Sequence, residues 1–173
     1  MKASLIIIGN EILSGRTQDK NLSYLANWLN EIGIQLTEVR VIRDEEDVIV
    51  ETVNHLRKTY DYVFTTGGIG PTHDDITSES IAKAFSVDLE INQGALSILK
   101  EYYKDGELTE ARMKMTKMPV GSELIENPVS RAPGFKMDNV FVLAGIPGIM
   151  QGMLEGARPV SYTHLRAHET LSH

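Results

Sequence analysis

Thr65-Thr66-Gly67-Gly68-Ile69-Gly70-Pro71-Thr72-His73-Asp74-Asp75-Ile76-Thr77 decides how the chain reads. It follows the apolar run Tyr62-Val63-Phe64 and precedes a helical pattern that begins near Thr77. The order is strand, glycine-rich loop, paired carboxylates, helix. Three glycines in four residues let the backbone approach a ligand closely and take positive φ without steric cost. Such a loop at a helix N-terminus presents free N–H groups that suit a phosphate. Two adjacent aspartates would repel that phosphate unless a cation lies between them. The stretch therefore predicts a metal-assisted phosphate or pyrophosphate site. Its plainer reading is a tight turn with a solvated, acidic helix cap.

Upstream, Leu5 to Ile8 is apolar on both faces, as in a central parallel strand. Gly9-Asn10-Glu11 ends it, and Ile12 to Asp19 reads as a loop carrying Ser14, Gly15, Arg16 and Thr17. A helix is predicted from Lys20 to Ile32, with Leu22, Leu25, Ala26, Leu29 and Ile32 on its buried face. Asp19 suits its N-cap and Gly33 its C′ position. Trp28 lies off that stripe, which predicts a core edge or a subunit contact. Ile34 to Val41 reads as a second strand. Asp44 then stands where a carboxylate caps the next helix, which runs to Lys58. Tyr60 to Thr66 is a third strand and Thr77 to Ser86 a third helix.

Downstream, Val87 to Ile91 reads as a short strand or connection. Gln93 to Gly106 and Thr109 to Lys117 read as helices, with Met113, Met115 and Met118 as packing residues rather than a cofactor box. Glu123 to Glu126 and Val140 to Leu143 read as strands, joined by an irregular loop from Asn127 to Asp138. Gly145-Ile146-Pro147-Gly148 leads into a last helix, Ile149 to Gly156. Strands alternating with helices predict a three-layer α/β/α fold with a mostly parallel sheet and right-handed crossovers. One domain is expected over residues 1–158, since no linker or repeat divides it. Ser161 to His173 fits no element and resembles translated cloning-adapter sequence, so its three histidines are set aside.

The 173 residues are 42% apolar and carry a formal charge of -7 without any basic tract. That balance argues against nucleic acid or an anionic membrane as the partner. The absence of cysteine excludes disulfides, thiolate metal sites and a cysteine nucleophile, and suits the cytoplasm. The first apolar run is too short for a signal peptide or a membrane span.

In an open parallel sheet, ligands bind beyond the carboxyl ends of the strands. Glu11, Asp44, Asp74 and Asp75 all follow such ends, so they are candidate oxygen ligands for a divalent cation. The glycines and the helix end at Thr77 would hold phosphate oxygens, and Thr72 and Thr77 could hydrogen-bond phosphate or a metal water. His73 is a candidate for proton transfer or a bystander. No Ser/His/Asp triad can be assigned.

Three sets of residues carry a family resemblance. They are Gly9-Asn10-Glu11-Ile12-Leu13-Ser14-Gly15 with Thr17 and Asn21, then Asp44, then the long motif from Gly67 to Thr77. Ala132-Pro133-Gly134-Phe135 and Gly145-Ile146-Pro147-Gly148 complete the pattern. In these the chain resembles the MoaB/Mog-type molybdopterin-binding domain, in particular the N-terminal domain of CinA-like proteins and the similar domain of eukaryotic FAD synthase. The resemblance implies a pterin or nucleotide phosphate pocket, a divalent metal such as magnesium, and a homo-oligomer, dimer or trimer. It implies metal-dependent hydrolysis of nucleotide pyrophosphates of the ADP-ribose or FAD class. Molybdopterin binding or adenylyl transfer, or a binding domain without turnover, is the alternative. On that pattern Asp75 and Asp44 are the catalytic candidates and Asp44, Asp74 and Asp75 the metal candidates. Ligand contacts are expected from Gly9, Asn10, Glu11, Gly15, Thr17, Asn21, Gly67, Gly68, Gly70, Pro71, Thr72, Thr77, Pro147 and Gly148. Three positions depart from the family: Asn10 where aspartate is usual, Ala144 for proline, and Ile149 where CinA-like chains carry glutamate.

Overall fold

The first strand, β1 (Lys2–Ile8), is buried from Ala3 onward in the computed structural model, which describes residues 1–104 and 108–155. Ala3, Leu5 and Ile7 enter one apolar cluster, and Ile6 and Ile8 enter another. A strand that feeds two clusters is covered on both faces. The short helix α1 (Asn10–Leu13) follows, then α2 (Asn21–Glu31), β2 (Gln35–Ile42), α3 (Glu46–Thr59), β3 (Tyr62–Thr66) and α4 (Thr77–Ala84). Next come β4 (Leu89–Ile91), α5 (Gln93–Tyr102), α6 (Glu110–Lys114) and β5 (Lys117–Pro119). The strands β6 (Glu123–Ile125), β7 (Gly134–Met137) and β8 (Val140–Leu143) precede a helical segment at residues 147–155.

Six strands form one sheet in the order β2-β1-β3-β8-β7-β6, and β4 pairs with β5 apart from it. The pairs β1–β2, β1–β3 and β3–β8 are parallel, whereas β6–β7 and β7–β8 are antiparallel. Leu25, Trp28 and Leu29 of α2 cover one face together with Met150, Met153 and Leu154. Ile49, Val53 and Leu56 of α3, Ile81 and Ala84 of α4 and Ala95 of α5 cover the other. The three-layer, mostly parallel architecture is therefore the one expected.

Several local expectations are corrected. Trp28 is 3% exposed and meets Phe64 edge-on at 6.3 Å, so it belongs to the core. Leu22, placed on the buried stripe, is exposed. The expected loop after Glu11 opens with α1. Asp44 does not cap α3; Glu45 precedes that helix, and the Asp44 side chain turns elsewhere. The second predicted helix after α4 shrinks to α6, capped by the Thr109 hydroxyl, and Met118 lies buried on β5. The loop from Asn127 to Asp138 contains β7. Leu36 and Val39 reach the same cluster although three residues apart, because the β1–β2 register shifts at Ala3/Ser4 and makes Thr37 the extra residue of a bulge. Gly106, Gly156 and the terminal stretch 159–173 lie outside the described residues.

Candidate functional site

The parallel register brings four carboxyl ends to one edge. Ile8 pairs with Ile42, Ile7 with Thr66, and Thr66 with Leu143. The loops after these residues are therefore neighbours. Their junction leaves no room for side chains. A Cβ on Gly67, at φ +101°, would stand 2.2 Å from the Ile8 carbonyl oxygen. A Cβ on Gly145 would stand 3.0 Å from the Gly67 Cα. Gly9 N–H donates to Ile42 O at 3.0 Å and Gly67 N–H to Leu143 O at 3.1 Å, so both ladders run into the loops.

The glycine loop is braced from below. Thr77 is fully buried; its hydroxyl donates to Gly67 O at 2.9 Å and its N–H to Gly68 O at 2.9 Å. Thr77 thus clips the loop rather than facing a cavity. Asp75 Oδ2 accepts from the Thr72 N–H at 2.9 Å and the Thr72 hydroxyl at 2.7 Å. The Lys114 ammonium, from α6, donates to Thr72 O. Between these braces, the N–H groups of Gly68, Ile69 and Gly70 make no hydrogen bond among the described residues. Three successive free donors in a glycine-rich turn are an anion cradle.

The loop is a ridge between two cavities. One, about 540 Å³, is lined by Asn10, Glu11, Ser14, Arg16, Asp44, His73, Asp74 and Ile76. The other, about 700 Å³, is bordered by Gly68, Gly70, Pro71 and Asp75 of the loop and by Glu79, Glu110, Lys114 and Lys117 beyond it. His73 and Ile76 border both. A narrow cleft of about 50 Å³ beside Glu11 takes in Thr17, Asn21, Thr66 and Pro147. Its walls meet where Asn21 Nδ2 donates to Gly145 O at 2.9 Å.

Asn10 and Asp44 hold each other across the β1 and β2 loops. Asn10 N–H donates to Asp44 Oδ2 and Asp44 N–H to Asn10 Oδ1, both at 3.1 Å. Burial pushes the Asp44 carboxyl above its usual range. The Asn10 N–H opposes that shift, while the charges of Glu11, Asp75 and Asp74 add to it. No group of three or more His, Asp or Glu side chains is close enough to cage a metal among the described residues. Magnesium-type ions, however, take one or two carboxylates plus waters and substrate phosphates. Glu11, Asp44 and Asp74 are hard oxygen donors on one cavity wall, and one or two of them, with waters and substrate phosphates, would suit an ion of that kind.

The predicted residues thus separate. Asn10, Glu11, Asp44 and Asp74 share the first cavity, Gly68, Gly70, Pro71 and Asp75 the second, and Glu11, Thr17, Asn21 and Pro147 the cleft. Asp44 and Asp75, paired as catalytic candidates, border different cavities. Gly9, Gly15, Gly67, Thr72 and Gly148 line none of the three, and Gly15 and Gly148 have open space where a Cβ would stand. Sequence reasoning passed over Arg16, Lys114 and Lys117 as site residues. Arg16 had a signal in its place between Gly15 and Thr17. The two lysines had none, since their helix and strand are distant in sequence from the loop.

A mostly parallel sheet between two helical layers, with a glycine-aspartate loop at its carboxyl edge, defines a class of three-layer α/β domain. Residues 4–160 match the family described as a probable molybdopterin binding domain, and the chain belongs to that family. It is a MoaB/Mog-type domain close to CinA. It superposes on the crystal structure of CinA from Thermoplasma acidophilum, a protein described as of unknown function, with TM-score 0.85 and 37% identity. That match covers 92% of this chain and 98% of the other. The tungsten cofactor synthesizing protein MoaB from Pyrococcus furiosus shares the fold at TM-score 0.61 and 20% identity, over 96% and 95% of the two chains. Among curated relatives, a Caldivirga maquilingensis protein is 39% identical over 92% of this chain and 64% of its own length. The chain thus spans less than two thirds of that relative. Among the described residues no helix is long and apolar enough to cross a membrane.

Proposed function

We propose that this domain binds the phosphate of a pterin or nucleotide on the glycine loop and, with a divalent metal ion, hydrolyses a nucleotide pyrophosphate of the ADP-ribose or FAD class. The observation that carries the reading is the row of free N–H groups at Gly68, Ile69 and Gly70, on the wall of a cavity that Lys114 and Lys117 also line and beside a second cavity lined by Glu11, Asp44 and Asp74. The free donors hold phosphate oxygens, and the glycines let those oxygens come close. Lys114 and Lys117 balance negative charge on one side. One or two of Glu11, Asp44 and Asp74 would hold the metal in the neighbouring cavity, and Asp75, locked by Thr72, keeps the ridge in shape. A divalent ion of the magnesium type supplies Lewis-acid polarisation of a phosphoryl oxygen. His73 borders both cavities and is placed to exchange a proton with a group in either.

The test is incubation with ADP-ribose or FAD, with and without magnesium, and measurement of released AMP. Metal-dependent AMP release is the expected result; its absence for both substrates would sink the hydrolase reading. Asp75→Asn should abolish turnover, a loss of at least a hundredfold, while circular dichroism shows an intact fold. An unchanged rate would remove Asp75 from the active set. A second reading is molybdopterin binding, which accords with the family's description, or adenylyl transfer on the same pocket. Saturable molybdopterin binding with ATP-dependent adenylylation, and no AMP from ADP-ribose, would establish it instead.

A further inference from the structure

Two side chains at the carboxyl edge of the sheet bury polar atoms that the fold leaves unused. Thr66, the last residue of β3, is 1% exposed, and Asn21, the first of α2, is 3% exposed. The Thr66 hydroxyl and Asn21 Oδ1 have no hydrogen-bond partner among the described residues. The other end of the Asn21 amide is engaged, since Nδ2 donates to Gly145 O, and that bond leaves Oδ1 as the idle atom. A buried polar atom without a partner costs stability, so two in one place call for a reason. Both residues line the narrow cleft beside Glu11. Alternation along β3 sets Thr66 on the face of Phe64, beneath α2, and Thr65 on the face of Val63. The Thr65 hydroxyl is also buried without a partner, yet Thr65 lines none of the three cavities.

We propose that this cleft is a subsite for a sugar hydroxyl of the ligand, held between the Thr66 hydroxyl and Asn21 Oδ1. The inference rests on the nucleotide reading above. Asn21 Oδ1 and the Glu11 carboxylate can only accept, whereas the Thr66 hydroxyl can accept or donate. The group that enters must therefore donate, and a phosphate or carbonyl oxygen would meet acceptors. A space of about 50 Å³ admits a group the size of a water molecule or two, not a base ring. A ribose hydroxyl satisfies both demands: it donates to Asn21 Oδ1 and accepts from Thr66. The cleft also adjoins the rest of the site. Glu11 lines it and the carboxylate cavity alike, and Gly145 packs directly on Gly67. Thr66 stands two residues before Gly68, so their Cα atoms lie within about 7.6 Å of each other. The few bonds between a phosphate and its ribose hydroxyls can bridge that separation.

Calorimetric titration with magnesium tests this, using analogues of ADP-ribose and of ADP that carry a methylene bridge between the phosphates and so cannot be cleaved there. Thr66→Val should raise the Kd for the ADP-ribose analogue about five- to tenfold, the loss of one uncharged hydrogen bond. Thr66→Ser keeps the hydroxyl and should keep the affinity, and Thr65→Val should leave it unchanged. Neither valine variant should lower Tm, because neither hydroxyl has a partner in the fold to lose. Weakening confined to the ADP-ribose analogue assigns the cleft to the terminal ribose, and equal weakening of both assigns it to the adenosine ribose. Deoxy analogues of the sugar so identified put the same question to the unaltered chain, and decide it if Thr66→Val does not fold. One of them must bind about as weakly as the parent compound binds Thr66→Val. An unchanged Kd in Thr66→Val, with or without a fall in Tm, would overturn the proposal, and so would deoxy analogues that all bind normally. A fall in Tm beside an unchanged Kd would show that the cleft holds a structural water. Binding that follows these expectations without AMP release from ADP-ribose sinks the hydrolase reading alone. AMP release with an unchanged Kd sinks the subsite alone, and no binding of either analogue by the unaltered chain overturns both.

Discussion

Gly67 sits where only a glycine can. Its φ of +101° lies outside the region open to other residues, and a Cβ would meet backbone rather than a movable side chain. Gly67→Ala should therefore lower unfolding free energy by about 3 kcal/mol, from strain and contact together. Urea denaturation would measure this; a loss below about 1 kcal/mol would mean the strand ends can part to admit a methyl group. Asp44 makes a different claim. An acid that holds its proton more tightly folded than unfolded adds stability below the unfolded carboxylate range, and that addition is lost as pH rises through the raised folded value. The metal-free protein should lose this part of its stability as pH climbs from about 4. Asp44→Asn keeps an acceptor for the Asn10 N–H and removes the charge. Its stability should fall less between pH 4 and pH 7 than that of the unaltered chain. Equal falls would show that Asp44 is not the source. At this scale the sequence made Asp75, Asp44 and the glycines visible as residue types in a telling order. The Asn10–Asp44 clasp was invisible, because it joins residues that only the pairing of β1 with β2 brings together.

Among the elements, β7 shows what sets the limit of sequence reading. Its four residues, Gly134 to Met137, follow a stretch rich in proline and polar residues and have little alternation of their own. The strand exists because Asn127 shapes the turn before it. That side chain is 2% exposed; its Nδ2 donates to Ser130 Oγ and Ala132 O, and its Oδ1 accepts from Val129 N–H and Ser130 N–H. Asn127→Ala leaves several of these groups unpaired and should cost about 2–3 kcal/mol. Thermal unfolding would register the loss; an unaltered midpoint would mean that water replaces the asparagine fully. The major strands and helices were legible because their apolar residues recur with the period of the element over many residues. β5, β7 and α1 were not, since three or four residues are too few for a period to show. Trp28 misled for a related reason. It lies beside the narrow stripe, yet the stripe is wide enough to bury it against Phe64.

For the whole molecule, alternation of strand and helix sufficed for the class of fold, and the motif order sufficed for the family. The separation of the carboxylates into two cavities was beyond reach, because it depends on how a loop ridge crosses the sheet edge. The contribution of α6 and β5 was hidden likewise: both come from the excursion after α4 and return Lys114 and Lys117 to the loop. The close junction of Ile8, Gly67 and Gly145 also bears on hydrogen exchange. The amides of Gly9, Gly67 and Thr77 lie in segments that a glycine count alone would rank among the most mobile. Gly9 and Gly67 are bonded to carbonyls at the strand ends, where the backbone cannot shift without opening the sheet, and Thr77 is bonded to the Gly68 carbonyl that packs on that junction. These three amide protons should exchange with deuterium at the slow rate of the central strands, while Gly68, Ile69 and Gly70 beside them exchange fast. A single loop would then contain both extremes of the molecule's protection, one residue apart.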